Sequence, residues 1–85
     1  MKSLCGVIAI NIETSEVFWF KSQSEAGRQL DIDTKNVNGV VKGKRHKTKV
    51  FWFCYADENA VEKTRKEFGD EVAKKVEELI QQNQI

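Results

Sequence analysis

The spacing of apolar and polar residues changes several times along this chain, and each change marks an element. From Val7 to Ile12 the chain is rich in β-branched residues, and Ile8, Ile10 and Ile12 alternate as residues on one face of a strand do. Glu13-Thr14-Ser15-Glu16 is polar and short enough for a hairpin turn, and Val17 to Phe20 is the returning strand. The period then lengthens. Ser22-Gln23-Ser24-Glu25 matches a capping box, in which the Ser22 hydroxyl accepts from an amide two or three residues on and Glu25 reaches back to the Ser22 amide. This predicts a helix over Gln23–Leu30, with Ala26 and Leu30 facing inward. Asp31-Ile32-Asp33 is a break, and Asp33 suits the N-cap of a second helix, Thr34–Lys42. Val37, Val40 and Val41 give that helix its buried stripe, and Gly43 ends it.

Lys44 to Thr48 reads as a basic loop and Lys49 to Tyr55 as a third strand. Asp57 can cap a last helix reaching about Gln82, with Val61, Phe68, Val72, Val76 and Leu79 along one face. That stripe keeps its phase across Gly69, which favours one continuous helix. The alternative is a C-cap at Gly69 followed by a new N-cap at Asp70.

These elements predict an α+β fold. A small antiparallel three-stranded sheet carries a helix-turn-helix pair between strands two and three, followed by a C-terminal amphipathic helix. The organisation is a strand-strand-helix-helix-strand module over residues 1–56 and a helical segment over residues 57–85. In Val17–Phe20 and in Val50–Tyr55 both alternating sets are apolar, whereas a half-exposed sheet would alternate apolar with polar. Both faces of the sheet are therefore expected to be covered, one by the helix pair and the other by the C-terminal helix or by a second subunit.

A chain of 85 residues is one domain with a modest core. No apolar run approaches the ~20 residues needed to cross a bilayer. The apolar stretch Cys5–Ile12 lacks the basic leader and length of a signal peptide, so a cytoplasmic location is expected. Cys5 and Cys54 are too few for a disulfide framework and read as reduced, buried thiols. Adding His46 to them still falls short of the roughly four ligands a zinc site needs. No nucleophile–base pair can be assembled either. The sequence therefore points away from an enzyme, a cofactor or a small-molecule substrate.

Charge changes the picture more. The formal net charge is only +1, yet Lys35, Lys42, Lys44, Arg45, Lys47 and Lys49 fall between Thr34 and Ala56 with no acidic residue among them. Beyond Asp57 the acids outnumber the bases. A basic centre and an acidic tail hide inside a neutral total.

The basic centre coincides with the helix-turn-helix, a motif whose second helix enters the DNA major groove. With the valines turned inward, the outward residues of the second helix are Lys35, Asn36, Asn38, Gly39 and Lys42. An Asn can pair with an adenine edge through two hydrogen bonds, and Lys can neutralise phosphate or read guanine. Gly39 would let the helix backbone lie close to DNA, or it serves another element packed on it. Lys44, Arg45, His46, Lys47 and Lys49 would add phosphate contacts, the main source of affinity. The plainer readings are solvated asparagines and a soluble turn. Trp19 and Trp52 read as core or sheet-face residues before stacking platforms.

Ser22-x-x-Glu25-Ala26, then Leu30-x-Ile32, Val37, Val41-Lys42-Gly43-Lys44 and the aromatic strand near Phe51 together carry a family likeness. Over about Val7 to Tyr55 the chain resembles the nuclease-associated modular DNA-binding domain of the intron-encoded nuclease repeat type. Such domains are DNA-binding tails of phage and intron homing endonucleases. The resemblance implies binding to double-stranded DNA without cleavage. Two departures stand out. Asp31 occupies the position where the family commonly has Gly, and the third strand lacks the usual glycine before its aromatics. The segment beyond Asp57 lies outside the motif, and a homodimer through residues 57–82 is one use for its apolar stripe. A reading from another class is a protein-interaction or assembly domain built on that helix and the aromatic sheet.

Overall fold

The computed structural model describes residues 6–82. Its elements are β1 (Val7–Asn11), β2 (Val17–Phe20), α1 (Gln23–Leu30), α2 (Thr34–Val41), β3 (Phe51–Tyr55), α3 (Ala60–Phe68) and α4 (Asp70–Gln82). The fold is α+β, with one antiparallel sheet in the order β2-β1-β3. Cys5 lies outside the described residues.

The hairpin closes through Asn11, whose Oδ1 accepts from the amides of Glu13 at 2.9 Å and Thr14 at 3.1 Å. Asparagine side chains mimic a backbone turn in this way. β1 is the central strand. Its Ile8 pairs with Trp19 and Cys54, and its Ala9 pairs with Phe18 and Phe53. Alternation then sorts the sheet into two faces. One holds Val7, Ala9, Phe18, Phe20, Phe51, Phe53 and Tyr55; the other holds Ile8, Ile10, Val17, Trp19, Trp52 and Cys54.

Both faces are covered, as the two-sided apolar pattern demanded. On the first face the small side chain of Ala9 leaves room above β1 for rings from the outer strands to meet. Phe18 and Phe51 pack edge to face at 6.3 Å, and Phe51 lies 6.2 Å from Phe53. The helix pair closes over this face. Val37 of α2 is fully buried, and Gln23 of α1 reaches the Tyr55 hydroxyl at 3.3 Å.

On the other face α3 lies against β3. Phe68 packs edge to face on Trp52 at 5.4 Å, and the fully buried Thr64 donates its hydroxyl to the Ala60 carbonyl at 2.8 Å. α4 lies over β2, and Lys75 Nζ donates to the Ser15 carbonyl at 3.3 Å. Val72 and Val76 are buried in the hydrophobic core that includes Ile8 and Ile10. Covering the second face thus falls to this chain's own C-terminal segment.

The continuous helix expected up to Gln82 does not form. Gly69 sits at φ 99°, ψ 179°, a conformation essentially reserved for glycine, and ends α3 by donating its amide to Arg65. Asp70 opens α4. The break lets α3 follow β3 and α4 follow β2, so two short helices cover three strands. Asp57 also acts differently from expectation. Its carboxylate accepts from the Asn59 amide at 2.9 Å and shapes the turn, while the helix starts later, at Ala60.

β3 starts at Phe51, two residues past the expected Lys49. Lys49 is left-handed at φ 55°, and Thr48 exchanges backbone hydrogen bonds with Phe51 across this kink. The Ser22 cap forms, accepting from the Glu25 amide at 3.1 Å. The return arm of the box does not, because the Glu25 carboxylate is taken by Arg28 and Gln29.

No described helix is long and apolar enough to cross a membrane.

Candidate nucleic-acid interface

The helix-turn-helix is set by two residues of the turn and one glycine. Asp31 adopts the left-handed conformation at φ 58°, ψ 50°, and its amide bonds Gly27. Asx residues tolerate that region better than most, so the turn forms with no glycine at this position. Asp33 then caps α2, accepting from the Lys35 amide at 3.0 Å. Gly27 is where the turn folds back on α1. A Cβ there would stand 2.6 Å from the Ile32 carbonyl oxygen, so any side chain would drive the two helices apart. This glycine was not singled out from sequence, where it reads as one weak position inside a helix.

The structure divides the ten candidate residues into two groups. Lys35, Lys42, Lys44, Arg45, His46, Lys47 and Lys49 are all exposed. Lys35, Gly39 and Lys42 stand one turn apart along the outer ridge of α2, opposite the buried valines. Asn36 flanks this ridge, half-buried, with no side-chain hydrogen bond among the described residues.

Asn38 does not point outward as expected. Its Nδ2 donates to Gln23 Oε1 at 3.0 Å, and Gln23 in turn donates to Tyr55. The chain Asn38–Gln23–Tyr55 ties α2 to α1 and to β3, so this amide serves packing. Gly39 also has a structural duty. Its carbonyl accepts from Lys44 at 2.8 Å and Arg45 at 3.1 Å, and the aliphatic stem of Arg45 lies across it. The Arg45 stem is thus an element packed on Gly39, one of the two uses open to this glycine. Lys49 is committed as well, donating to the Asp31 carbonyl at 2.8 Å and so bracing the turn between the helices. Lys47 donates to the Lys49 carbonyl at 3.2 Å.

Lys35, Lys42, Lys44 and Arg45 remain without ion pairs. Among the described residues the ion pairs are Arg28 with Glu25, and Arg65 with Glu62 and Asp70, none of which involves these four cations. A cleft of about 460 Å³ separates the loop after α2 from α3. Lys42, Lys44, Arg45 and His46 line one side, and Lys63, Lys66 and Glu67 line the other. Sequence reasoning missed Lys63 and Lys66. Their three-residue spacing puts them on one face of a helix, but only the break at Gly69 sets which way that face looks.

At the floor of the cleft, burial pushes the Cys54 thiol up to about 12. A thiol so far from ionising is no nucleophile at neutral pH.

Comparisons with protein-family models, with curated proteins and with solved structures return no match to this chain.

Proposed function

We propose that the protein is a DNA-binding module of helix-turn-helix character, in which α2 enters the major groove and the loop after it holds phosphates. The observation that carries the reading is the exposed run of Lys35, Lys42, Lys44, Arg45 and Lys47, which forms no ion pair with a carboxylate among the described residues. Arrays of unneutralised cations raise the local potential and favour an anionic partner. α2 has eight residues, so at 1.5 Å per residue it is about 12 Å long, close to the width of the major groove. With Asn38 committed to packing, Lys35 and Asn36 are left to reach base edges, and Lys42, Lys44, Arg45, His46 and Lys47 to meet the backbone. The observed order of elements is also the one implied by the likeness to nuclease-associated modules, which makes a homing-endonuclease tail or a small phage protein the setting we favour. In this reading the domain binds DNA and does not cleave it.

The test is titration of a labelled random-sequence duplex at several salt concentrations. Each phosphate contact contributes about −0.9 to the log–log slope of affinity against salt. Replacing Arg45 and Lys47 by Ala should make that slope shallower by roughly 2. Salt-independent binding, or none, would sink the reading.

A further inference from the structure

The cleft beside β3 carries positive charge on both walls, and the second wall comes from the segment outside the helix-turn-helix. Lys63 and Lys66 are exposed on α3, three residues apart. Neither forms an ion pair among the described residues: Arg65 takes Glu62 and the Asp70 that opens α4, and Glu67, the other carboxylate of α3, is in no ion pair. Facing them across the cleft are Lys42, Lys44 and Arg45, and the only carboxylate in the lining is Glu67. Like charges on opposite walls repel. Such an arrangement is costly unless an anion lies between them, where each wall then adds to the attraction.

The shape narrows the anion. At about 460 Å³ the cleft is far larger than a single phosphate group requires. Its floor offers no base-stacking platform, since the Trp52 ring is buried against Phe68. An extended polyanion that presents phosphates and not ring faces fits this lining. Lys63 lies near enough to the cleft floor to lower the Cys54 pKa against the stronger effect of burial.

We infer that α3 forms the second wall of the DNA-binding surface, with Lys63 and Lys66 gripping the sugar–phosphate backbone of one strand against Lys42, Lys44 and Arg45. The inference rests on the DNA-binding reading and extends it to a helix with no counterpart in the helix-turn-helix motif. It gives the break at Gly69 a functional consequence. The break sends α3 along β3 beside the basic loop, while the more acidic α4 lies over β2 at the opposite edge.

The experiment uses the full chain and a labelled random-sequence duplex between about 50 and 200 mM salt. Three double variants are compared: Lys63→Gln with Lys66→Gln, Lys44→Gln with Arg45→Gln, and Lys74→Gln with Lys75→Gln. All three remove the same charge from exposed positions, and thermal melts check that each stays folded. The Lys63/Lys66 variant should bind more weakly, with a slope shallower by about 1.8, as two lost phosphate contacts require. The Lys74/Lys75 variant, on α4, should keep the wild-type slope. A Lys63/Lys66 variant with wild-type slope, beside a weakened Lys44/Arg45 variant, overturns the α3 wall and leaves the DNA-binding reading standing. Equal losses in the Lys63/Lys66 and Lys74/Lys75 variants overturn it too, since net charge alone would then be responsible. Absence of salt-dependent binding in the wild type overturns both. Tighter binding of an acidic peptide than of duplex at the same salt would also overturn the assignment of the cleft to DNA.

Discussion

The same substitution at two glycines should change stability in opposite directions. Gly27 and Gly39 both lie within helices, where exchanging Gly for Ala gains about 1 kcal/mol of helix propensity. What decides the outcome is what the new methyl meets. At Gly27 it would stand 2.6 Å from the Ile32 backbone oxygen and 3.2 Å from Thr34 Oγ1. The carbonyl belongs to the turn, and Ile32 is fixed by the hydrogen bond its amide donates to the Gly27 carbonyl at 2.8 Å, so no side-chain rotation relieves the clash. Overpacking of this kind costs about 1–3 kcal/mol, more than the propensity returns. Gly27→Ala should therefore lose up to about 2 kcal/mol, which at about 4–8 °C per kcal/mol lowers Tm by up to roughly 8–16 °C for a domain of this size. At Gly39 the nearest atoms are Cδ and Cγ of Arg45, at 3.2 and 3.3 Å, on an exposed and flexible side chain. Arg45 can swing aside, so Gly39→Ala should be neutral or raise Tm by a few degrees, roughly 0.5–1 kcal/mol. Thermal melts followed by far-ultraviolet circular dichroism check both. A Gly27→Ala protein melting at or above the wild-type temperature would refute the close approach of turn to helix.

Truncation after Ala56 should abolish the cooperative melt and cause aggregation, seen by light scattering. It uncovers Ile8, Ile10 and Trp52 and removes Val72 and Val76, each fully buried residue being worth about 1.5–3 kcal/mol against a total stability of only about 5–15. A truncated protein that stays monomeric and melts like the full chain would show α3 and α4 to be appendages. The Cys54 thiol, raised from 9.0 to about 12, keeps its proton in the folded chain while the unfolded chain loses it. Its contribution is therefore fully present below about pH 9 and declines by about 1.4 kcal/mol per unit as pH rises toward 12. Chemical denaturation at pH 8 and pH 10 should show a smaller drop for Cys54→Ala than for wild type, and equal drops would contradict the burial of this thiol. Ala26→Glu would drive a carboxylate between packed helices, where Ala26 is fully buried, and should cost the domain its cooperative transition.

Local chemistry made the first two-thirds of the fold readable. Ser22 and Asp33 cap the helices where their side chains allow, Asp31 takes the left-handed turn, and the valine spacing of α2 fixes its buried face. Apolar residues on both faces of two strands required two covering layers, and two are present. The break at Gly69 was harder to read because an apolar stripe constrains rotation about the helix axis but not the direction of that axis. Phe68 and Val72 stay in phase whether or not the chain turns between them. The surroundings of candidate-site residues were not legible in the sequence wherever a partner distant along the chain holds them. Asn38 looks outward on a helical wheel, yet Gln23 of the other helix holds it; Lys49 looks like a loop cation, yet it braces the carbonyl of Asp31. The wall formed by Lys63 and Lys66 arises only from tertiary placement.

The central position of β1 has a consequence for how the chain acquires its structure. One side of β1 pairs with β2 through a tight turn, while the other waits for β3, whose residues follow the whole helix pair. Loop closure over that distance costs entropy before any pairing rewards it, so pairing of β1 with β3 is expected to come late in folding. A chain emerging from the ribosome would hold at best a marginal hairpin with the β3-pairing edge of β1 bare, and its Ile8–Ile10 face would stay wet until α3 and α4 had also been made. Pulse-labelled hydrogen exchange should find the amides of Asn11 and Ser15 at the β1–β2 turn protected first, and those of Ile12 and Ala56, which bond across the β1–β3 seam, protected last. The order of strands in space, set against their order in sequence, makes synthesis of the C-terminal segment the event that commits this protein to its native state.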